Sequence, residues 1–477
     1  MKLLFEKSVP DRKSSYLPPC DVPLAELPAG SARKIPLAMP ELSETDVARH
    51  YSALEMRTFG VNDGFYPLGS CTMKYNPPIN DTVSSLPGFS EIHPLQGDHT
   101  SQGALQALYL AEQYFTEITG MDAMSFQPAA GAQGEFLGMM LIKKYHEERG
   151  DTARKNVIVP DSAHGTNPAT VGMCGWKVIN LPSNSEGRID LEKLRSLVGK
   201  DTAGIMLTNP NTLGIFEKDI LEVTKIIHDA GGLCYYDGAN LNAIAGIARP
   251  GDMGFDCIHL NLHKTFSTPH GGGGPGCGPV GCKKFLAKHL TGLRVTKTEK
   301  GYTTANPSSK SRVGSVHLFH GNMLIALRAL AYVMTLGSDG LVEMSSGAVL
   351  NANYLMKRLG ERFEIINKGV CMHEFVVSME KEAKDHVAAK DMAKALLDNG
   401  MMAPTMYFPL IVKEALMFEP TETEGKETLD MVADICIKLH DTLMAKPETA
   451  SEYPRNTVIS RPDEVEAARN PRVQYVS

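Results

Sequence analysis

The stretch NLHKTFSTPHGGGGPGCGPVG, residues 261–281, decides how the rest of the chain is read. It continues an apolar run (Phe255, Cys257, Ile258, Leu260, Leu262), presents one lysine, Lys264, and then breaks into glycines. Such a run reads as a buried strand, which puts Lys264 just past the strand end, where ligands of α/β sheets sit. The glycines let backbone approach a phosphate or a neighbouring subunit with no Cβ in the way. Lys264 is therefore the candidate Schiff-base residue for an aldehyde cofactor such as pyridoxal phosphate, whose chemistry needs a lysine amine that is partly neutral. The stretch also holds a decoy. Gly276-Cys277-Gly278-Pro279-Val280-Gly281 matches G-x-G-x-x-G, but it follows a glycine loop instead of opening a first βαβ unit, and no G-x-x-x-x-G-K-[ST] occurs, so neither a dinucleotide nor a P-loop site is supported.

Working upstream, NVIVP (156–160), WKVINL (176–181), TAGIMLT (202–208) and LCYYD (233–237) read as buried strands. Helical patterns such as DLEKLRSLVG (190–199) and EKDILEVTKIIHDAGG (217–232) separate them. This alternation implies right-handed crossovers and a mostly parallel sheet, an α/β fold with its site beyond the strands' carboxyl ends. The loops to watch are then DSAHGTNPAT (161–170), TNPNTLGIFE (208–217) and YYDGANLNAIAG (235–246). Asp237 ends one strand and Lys264 follows the next, so neighbouring strands would bring them to one sheet edge. A carboxylate there can hold the proton on a pyridine nitrogen, so that the ring drains electrons from a substrate carbanion. His164, in the loop after NVIVP, is placed to lie over the ring face and to move protons. Earlier, Gly131, Ala132, Gln133 and Gly134 stand where a helix begins, and the free N–H groups and dipole of that end favour an anion such as a phosphate.

The flanks are less regular. Residues 1–95 are rich in proline and turn residues, with one clear helix in ELSETDVARHYSALEMR (41–57), opened by Ser43-x-x-Asp46. They read as an extended arm wrapping another surface of the same or a partner chain, and within them FYPLGSCTMKYNPP (65–78) is either a surface loop or a segment reaching over the site. LRVTKTEKGYTTANPSSKSR (293–312) is too polar for core and reads as a mobile, solvated loop. A helix pattern resumes over 316–334. From 341 a second α+β pattern begins, with HEFVVSM (373–379) as a strand and MAKALLDNG (392–400) as a helix. The expected divisions are an arm 1–95, a large cofactor-binding domain 96–340 and a small C-terminal domain 341–477.

Composition narrows the class. A chain of 477 residues with net charge −7, 43% hydrophobic and 22% charged residues, is a multidomain globular protein with no electrostatic case for nucleic acid or an anionic membrane. Nine cysteines without CxxC pairing or zinc-like spacing suit reduced thiols in a cytoplasm and give no reason to expect a metal. The N-terminal MKLLFEKSVPDRKSS has an apolar run too short for a signal sequence, and no run nears the eighteen or so apolar residues of a membrane span.

With these strings in place, the chain resembles the P-protein family of the glycine cleavage system, pyridoxal-phosphate glycine decarboxylases (aminomethyl-transferring glycine dehydrogenases), and within it the lysine-bearing subunit 2 of the two-chain form. The likeness covers nearly the whole chain and rests on FYPLGSCTMKYNP, QPAAGAQGE, DSAHGTNPA, TNPNTLGIFE, YYDGANLNAI, NLHKTFSTPHGGGGPG and APTMYFPLIVKEALMFEPTETEGKETLD. It implies the aspartate-aminotransferase fold, fold type I, of pyridoxal-phosphate-dependent transferases. It implies the Schiff base on Lys264, ring-nitrogen pairing by Asp237 and ring stacking by His164, and it adds Thr208, Asn209 and Thr265, with Ala130–Gln133, as cofactor contacts. The reaction so implied is decarboxylation of glycine, releasing carbon dioxide, with the aminomethyl group passing to the lipoyl group of H-protein. The partners implied are a homologous subunit 1, two copies of each subunit forming a heterotetramer, and lipoylated H-protein. Where the family has a pattern like IGRV-x-x-FYGN, this chain reads VGSVHLFHGN with His317 and His320, and Arg312 is the nearest candidate anchor for the glycine carboxylate. Two alternatives stand beside this reading. An aminotransferase or cysteine-desulfurase relative would share Lys264 and Asp237 without needing a lipoyl protein, and a non-catalytic scaffold subunit would need none of the three site residues.

Overall fold

The apolar runs at the middle of the chain pair into one sheet. In the computed structural model, which describes residues 1–12, 18–35, 37–93, 95–270, 276–305 and 312–473, seven strands build it. They are β1 (Ala123–Ser125), β2 (Asn156–Pro160), β3 (Lys177–Leu181), β4 (Thr202–Thr208), β5 (Leu233–Gly238), β6 (Cys257–Leu260) and β7 (Val280–Cys282), in the order β1-β7-β6-β5-β4-β2-β3. From β3 to β6 neighbours run parallel, while β7 runs antiparallel to both β6 and β1. The strands expected from sequence are present within a residue or so of their predicted ends, and the glycines 271–274 lie outside the described residues.

Both faces of the central strands are covered, which is why β2, β4 and β5 are largely apolar runs; β3, expected to be buried, is instead an edge strand that exposes Lys177 and Asn180. Successive residues alternate between two cores. Leu207 and Tyr236 pack with Leu105, Phe115 and Phe255 on one side, and Met206 and Tyr235 pack with Leu137, Leu141 and Val157 on the other. Helix Gly131–Glu148 lies on the second face, close enough that a Cβ at Gly138 would stand 2.2 Å from the Tyr235 ring. Gly138 is small because the helix and β5 touch there.

Next in the chain, β8 (Arg294–Thr298) and β9 (Gly301–Ala305) pair with each other alone, as an antiparallel hairpin. The C-terminal region then contributes β10 (Glu364–Ile365), β11 (Phe375–Ser378), β12 (Thr405–Met406) and β13 (Ala415–Phe418), which form a second sheet, antiparallel throughout, in the order β10-β11-β13-β12. Phe375 and Leu416 pack there against Leu355, Leu396 and Val432 from helices Met323–Leu359, Ala389–Leu397 and Lys426–Ala445. Helix Met323–Leu359 is long and apolar enough by composition to cross a membrane. It is instead a core helix, burying Ile325, Ala329 and Leu330 in one cluster and Ala352, Leu355 and Leu359 in another, with its helical geometry interrupted at Gly337 (φ 65°, ψ −169°).

Two expectations change. The polar segment 293–312 is not wholly a loop, because it contains the β8–β9 hairpin. Its Val and Thr residues suit a pleated ribbon, and docking holds it: the Arg294 guanidinium bonds to Glu112, and Gln102 accepts from Tyr302 N–H and donates to its carbonyl. Residues 306–311 lie outside the described part. The chain also groups into two units, Met1–Gly60 with Asn456–Ser477, and Val61–Arg455. Residues 61–95 of the expected arm therefore pack within the larger unit, and 456–477 group apart from the rest of the expected C-terminal domain. In the smaller unit, helix Glu44–Glu55 opens as its sequence indicates, with the Ser43 hydroxyl accepting from Asp46 N–H at 3.2 Å.

The packing of 65–78 is specific. Leu68 bridges Phe418, and Lys74, 2% exposed, extends its amine into the interior to Glu422 at 2.7 Å, Asn242 Oδ1 at 3.1 Å and Tyr332 Oη at 3.2 Å. Lys74 thereby ties this segment to elements of both sheets' domains. Lys74→Ala leaves Glu422 without its counter-charge and should cost about 3–5 kcal/mol, read as a lowered denaturant midpoint. An unchanged midpoint would show that the ion pair holds nothing together.

Candidate active site

Register brings the site together. Thr208, Asp237 and His259 are successive Cα partners across β4, β5 and β6, at or near the carboxyl ends of these strands. Lys264 stands four residues beyond β6, within a short loop braced by Lys264 N–H to Asn261 O and Ser267 N–H to Lys264 O. Together they open into a cavity of about 280 Å³ whose wall includes Thr208, Asp237, Lys264, His164 and the turn Ala130-Gly131-Ala132. The remaining wall includes Ser70 from the N-terminal segment and His373 and Glu374 from the loop before β11. No side-chain hydrogen bond restrains the Lys264 amine among the described residues, so it is available to react.

Asp237 is 2% exposed and its charge is well held. Oδ2 accepts from Asn167 Nδ2 at 2.8 Å, Oδ1 accepts from Ala239 N–H at 3.0 Å, and His259 Nε2 stands 3.5 Å from Oδ1. Burial alone would raise its pKa, but His259, Asn167, Ala239 and Lys264 outweigh burial and keep the carboxyl below its usual range. Behind it, the Tyr235 hydroxyl hydrogen-bonds His259 Nδ1. With that hydroxyl donating, the imidazole proton is assigned to Nε2, facing Asp237. The result is a buried anion whose position is set by a chain of groups on two strands.

Glu135, one helical turn after Gly131, also lines the cavity and shares Asn167 with Asp237. Burial, then the proximity of Asp237, push its carboxyl up to about 7, against hydrogen bonds from Thr166, Asn167 and Thr170. A carboxyl raised above its unfolded value of 4.5 adds stability that is complete below that pH and is lost as pH rises through the folded value. Glu135→Gln should therefore flatten the fall in unfolding free energy between about pH 5 and pH 8, a span of roughly 3 kcal/mol. Denaturant titrations of variant and parent at the two pH values check this, and parallel slopes would contradict it.

The other candidates take different positions. Helix Gly131–Glu148 begins at the cavity, and a Cβ at Gly131 would stand 2.2 Å from Asn261 Oδ1, so only glycine leaves this N-terminus open to an anion. Gln133 points elsewhere: it accepts from Ala129 N–H at 2.7 Å and donates to Val316 O at 2.6 Å, bracing the turn. Thr208 Oγ1 is buried without a partner among the described residues, as a hydroxyl awaiting a ligand would be. Asn209 turns away and accepts from Glu217 N–H, and Thr265 accepts from Leu241 N–H, both outside the cavity wall. His164 is an exposed ring on the wall, its Nδ1 2.9 Å from Thr166 Oγ1, with burial on one side and Lys264 holding its pKa below the usual value. Arg312 donates to Leu290 O at 3.3 Å and Gly292 O at 2.6 Å and does not line the cavity. His320 is buried by a separate small cavity and His317 is half-buried, away from the cavity wall.

An amine, a fixed carboxylate facing a ring-sized cavity, an imidazole and an open helix N-terminus together suit a flat aldehyde-bearing ring with a phosphate. Sequence reasoning does not single out Glu135, Asn167, His259, His373 or Glu374, while Ser70 comes from the stretch 65–78 read as one that could reach over the site. Glu135 and His259 are open to it by periodicity, being four residues after Gly131 on the helix and two before Asn261.

Comparison with known proteins gives a consistent result. The family model for aminotransferase class-V matches residues 140–403, and that for the glycine dehydrogenase C-terminal domain matches residues 344–463. A probable glycine dehydrogenase (decarboxylating) subunit 2 of Treponema denticola is 53% identical over 475 residues, covering 99% of this chain and 98% of its own. One of the same description from Caldanaerobacter subterraneus subsp. tengcongensis is also 53% identical, with 99% and 98% covered. Among solved structures, an inhibitor-bound glycine decarboxylase (P-protein) of the glycine cleavage system superposes with a TM-score of 0.73 at 22% identity, over 86% of this chain and 92% of that one. A cysteine desulfurase from Thermococcus onnurineus reaches 0.62 at 15% identity, over 80% and 96%. These structures share the fold, which is fold type I.

Proposed function

The chain belongs to the family of glycine dehydrogenase (decarboxylating) subunit 2, and from that premise we propose that it carries the pyridoxal-phosphate centre of a glycine decarboxylase. The observation that carries this reading is the convergence of Asp237 and Lys264 on one cavity from neighbouring strand ends. When bound, pyridoxal phosphate supplies an electron sink for the carbanion left as carbon dioxide departs. The rest falls to the chain. Lys264 would provide the amine that holds the aldehyde carbon and, when free, would be a base on the cavity wall able to move a proton. Asp237 would accept the ring N–H and stabilise its positive charge. His164 would cover one face, and the N–H groups at Ala130–Ala132 with Thr208 Oγ1 would receive the phosphate.

The subunit designation of its relatives supports a partner, subunit 1. To this we add, as part of the proposal, two copies of each subunit, lipoylated H-protein as acceptor of the aminomethyl group, and a cytoplasmic location. Exchange of labelled bicarbonate into glycine, with each component omitted in turn, tests this. Full exchange should need subunits 1 and 2 and H-protein together. Full-rate exchange by this chain alone, or amino transfer to a 2-oxo acid without H-protein, would overturn it.

A further inference from the structure

We infer that the substrate carboxylate is received by two uncharged donors, the imidazole of His373 and a protonated Glu374, and not by an arginine. The inference rests on the glycine-decarboxylase reading above. It begins from what the cavity lacks: among the described residues lining it there is no arginine, and Lys264, its one lysine, is committed to the cofactor.

What it offers instead is a pair of buried groups on the loop entering β11. His373 is 2% exposed, and neither ring nitrogen has a hydrogen-bond partner among the described residues, although the ring lines the cavity. A buried imidazole with both nitrogens unsatisfied is costly unless a ligand completes it. Burial and Lys264 hold its pKa down to about 3, so it is neutral, with one N–H to give. Glu374, also 2% exposed, lies beside Glu419, and the ligating atoms of His373, Glu374 and Glu419 all fall within 4.8 Å of one another. Two buried carboxyls this close cannot both be charged. The donors present decide which one holds the proton. Glu419 accepts from Thr72 N–H at 3.1 Å, Thr72 Oγ1 at 2.6 Å and Asn240 Nδ2 at 2.9 Å, a set that suits an anion. Among the described residues Glu374 receives only Ser70 N–H, at 2.8 Å on Oε2, leaving Oε1 3.7 Å from His373 Nε2 and able to carry the proton. Burial and Glu419 likewise push the Glu374 carboxyl upward.

The chemistry gives such a pair a purpose. Loss of carbon dioxide turns the substrate carboxylate into a neutral molecule, so a strong ion pair would stabilise the ground state more than the transition state. Two neutral donors orient the group and let its charge leave.

Visible-absorbance titrations of the cofactor-loaded complex of both subunits, with glycine and with methylamine, which lacks the carboxylate, test the inference. His373→Phe and Glu374→Ala should each weaken glycine by about tenfold or more and leave methylamine within about twofold. Glu374→Gln, whose amide still donates, should bind glycine within about threefold of the parent. Methylamine binding also reports whether each variant has folded, and His373→Asn, which keeps a donor, serves if the phenylalanine variant has not. Equal losses for both ligands, no loss for glycine, or Glu374→Gln as damaging as Glu374→Ala would overturn the assignment while leaving the decarboxylase reading intact. A parent complex that shows no response to glycine would overturn both.

Discussion

Replacing Lys264 with alanine is expected to lower glycine–bicarbonate exchange by about 10⁴-fold or more. On the proposed reading the amine would serve twice, holding the aldehyde and carrying a proton, and no other side chain on the described cavity wall could replace it: His164, His263 and His373 cannot form the linkage, and Lys74 is locked to Glu422 in the interior. The fold should survive. Lys264 makes no side-chain hydrogen bond among the described residues, so the unfolding midpoint of Lys264→Ala should match that of the parent. A folded variant that keeps exchange within about tenfold would place the chemistry on another residue.

Asp237→Asn is the second large effect. The amide is nearly isosteric and can keep one contact to the Ala239 N–H, so cofactor should still bind, but the charge that stabilises a protonated ring nitrogen is gone. A donor or dipole aimed at developing charge in a dry site is worth about 10²–10³ in rate, and a full buried charge at least that, so exchange should fall by about 10³-fold or more. Asn167 is expected to lose its acceptor at the same time, since its Nδ2 donates to Asp237 Oδ2 at 2.8 Å, where the variant places an amide NH2, while His259 Nε2 still faces the retained oxygen. Near-normal exchange would mean that the ring nitrogen is handled elsewhere.

Much of the fold and the centre of the site are legible in the order of residues alone. Strands buried on both faces are unbroken apolar runs, so β2, β4 and β5 stand out, and a polar residue that ends such a run, as Asp237 does, marks the sheet edge. The hairpin β8–β9 escapes a reading by pattern because its strands are mostly Thr, Lys and Gly, with Val295 and Tyr302 too few to show an alternation, and its stability comes from packing those two on the core and docking on helix Gln102–Thr119. Gln133, Asn209 and Thr265 group with true wall residues in the sequence, yet adjacency along the chain does not imply a shared face: each follows or precedes a wall residue and points the other way. His373 and Glu374 carry no local signal, whereas Ser70 lies in the stretch 65–78 that the sequence offers as a segment reaching over the site. Ser70 and Glu374 meet across 304 residues of sequence, and only the packed N-terminal segment brings them to Lys264.

The central claim is that Lys264 carries the cofactor, and borohydride reduction of the cofactor-loaded protein followed by peptide mapping tests it most directly. The pyridoxyl label should fall on the peptide containing Asn261-Leu262-His263-Lys264-Thr265 and nowhere else. Label on any other lysine, or a protein that takes up no label at all, would contradict the account.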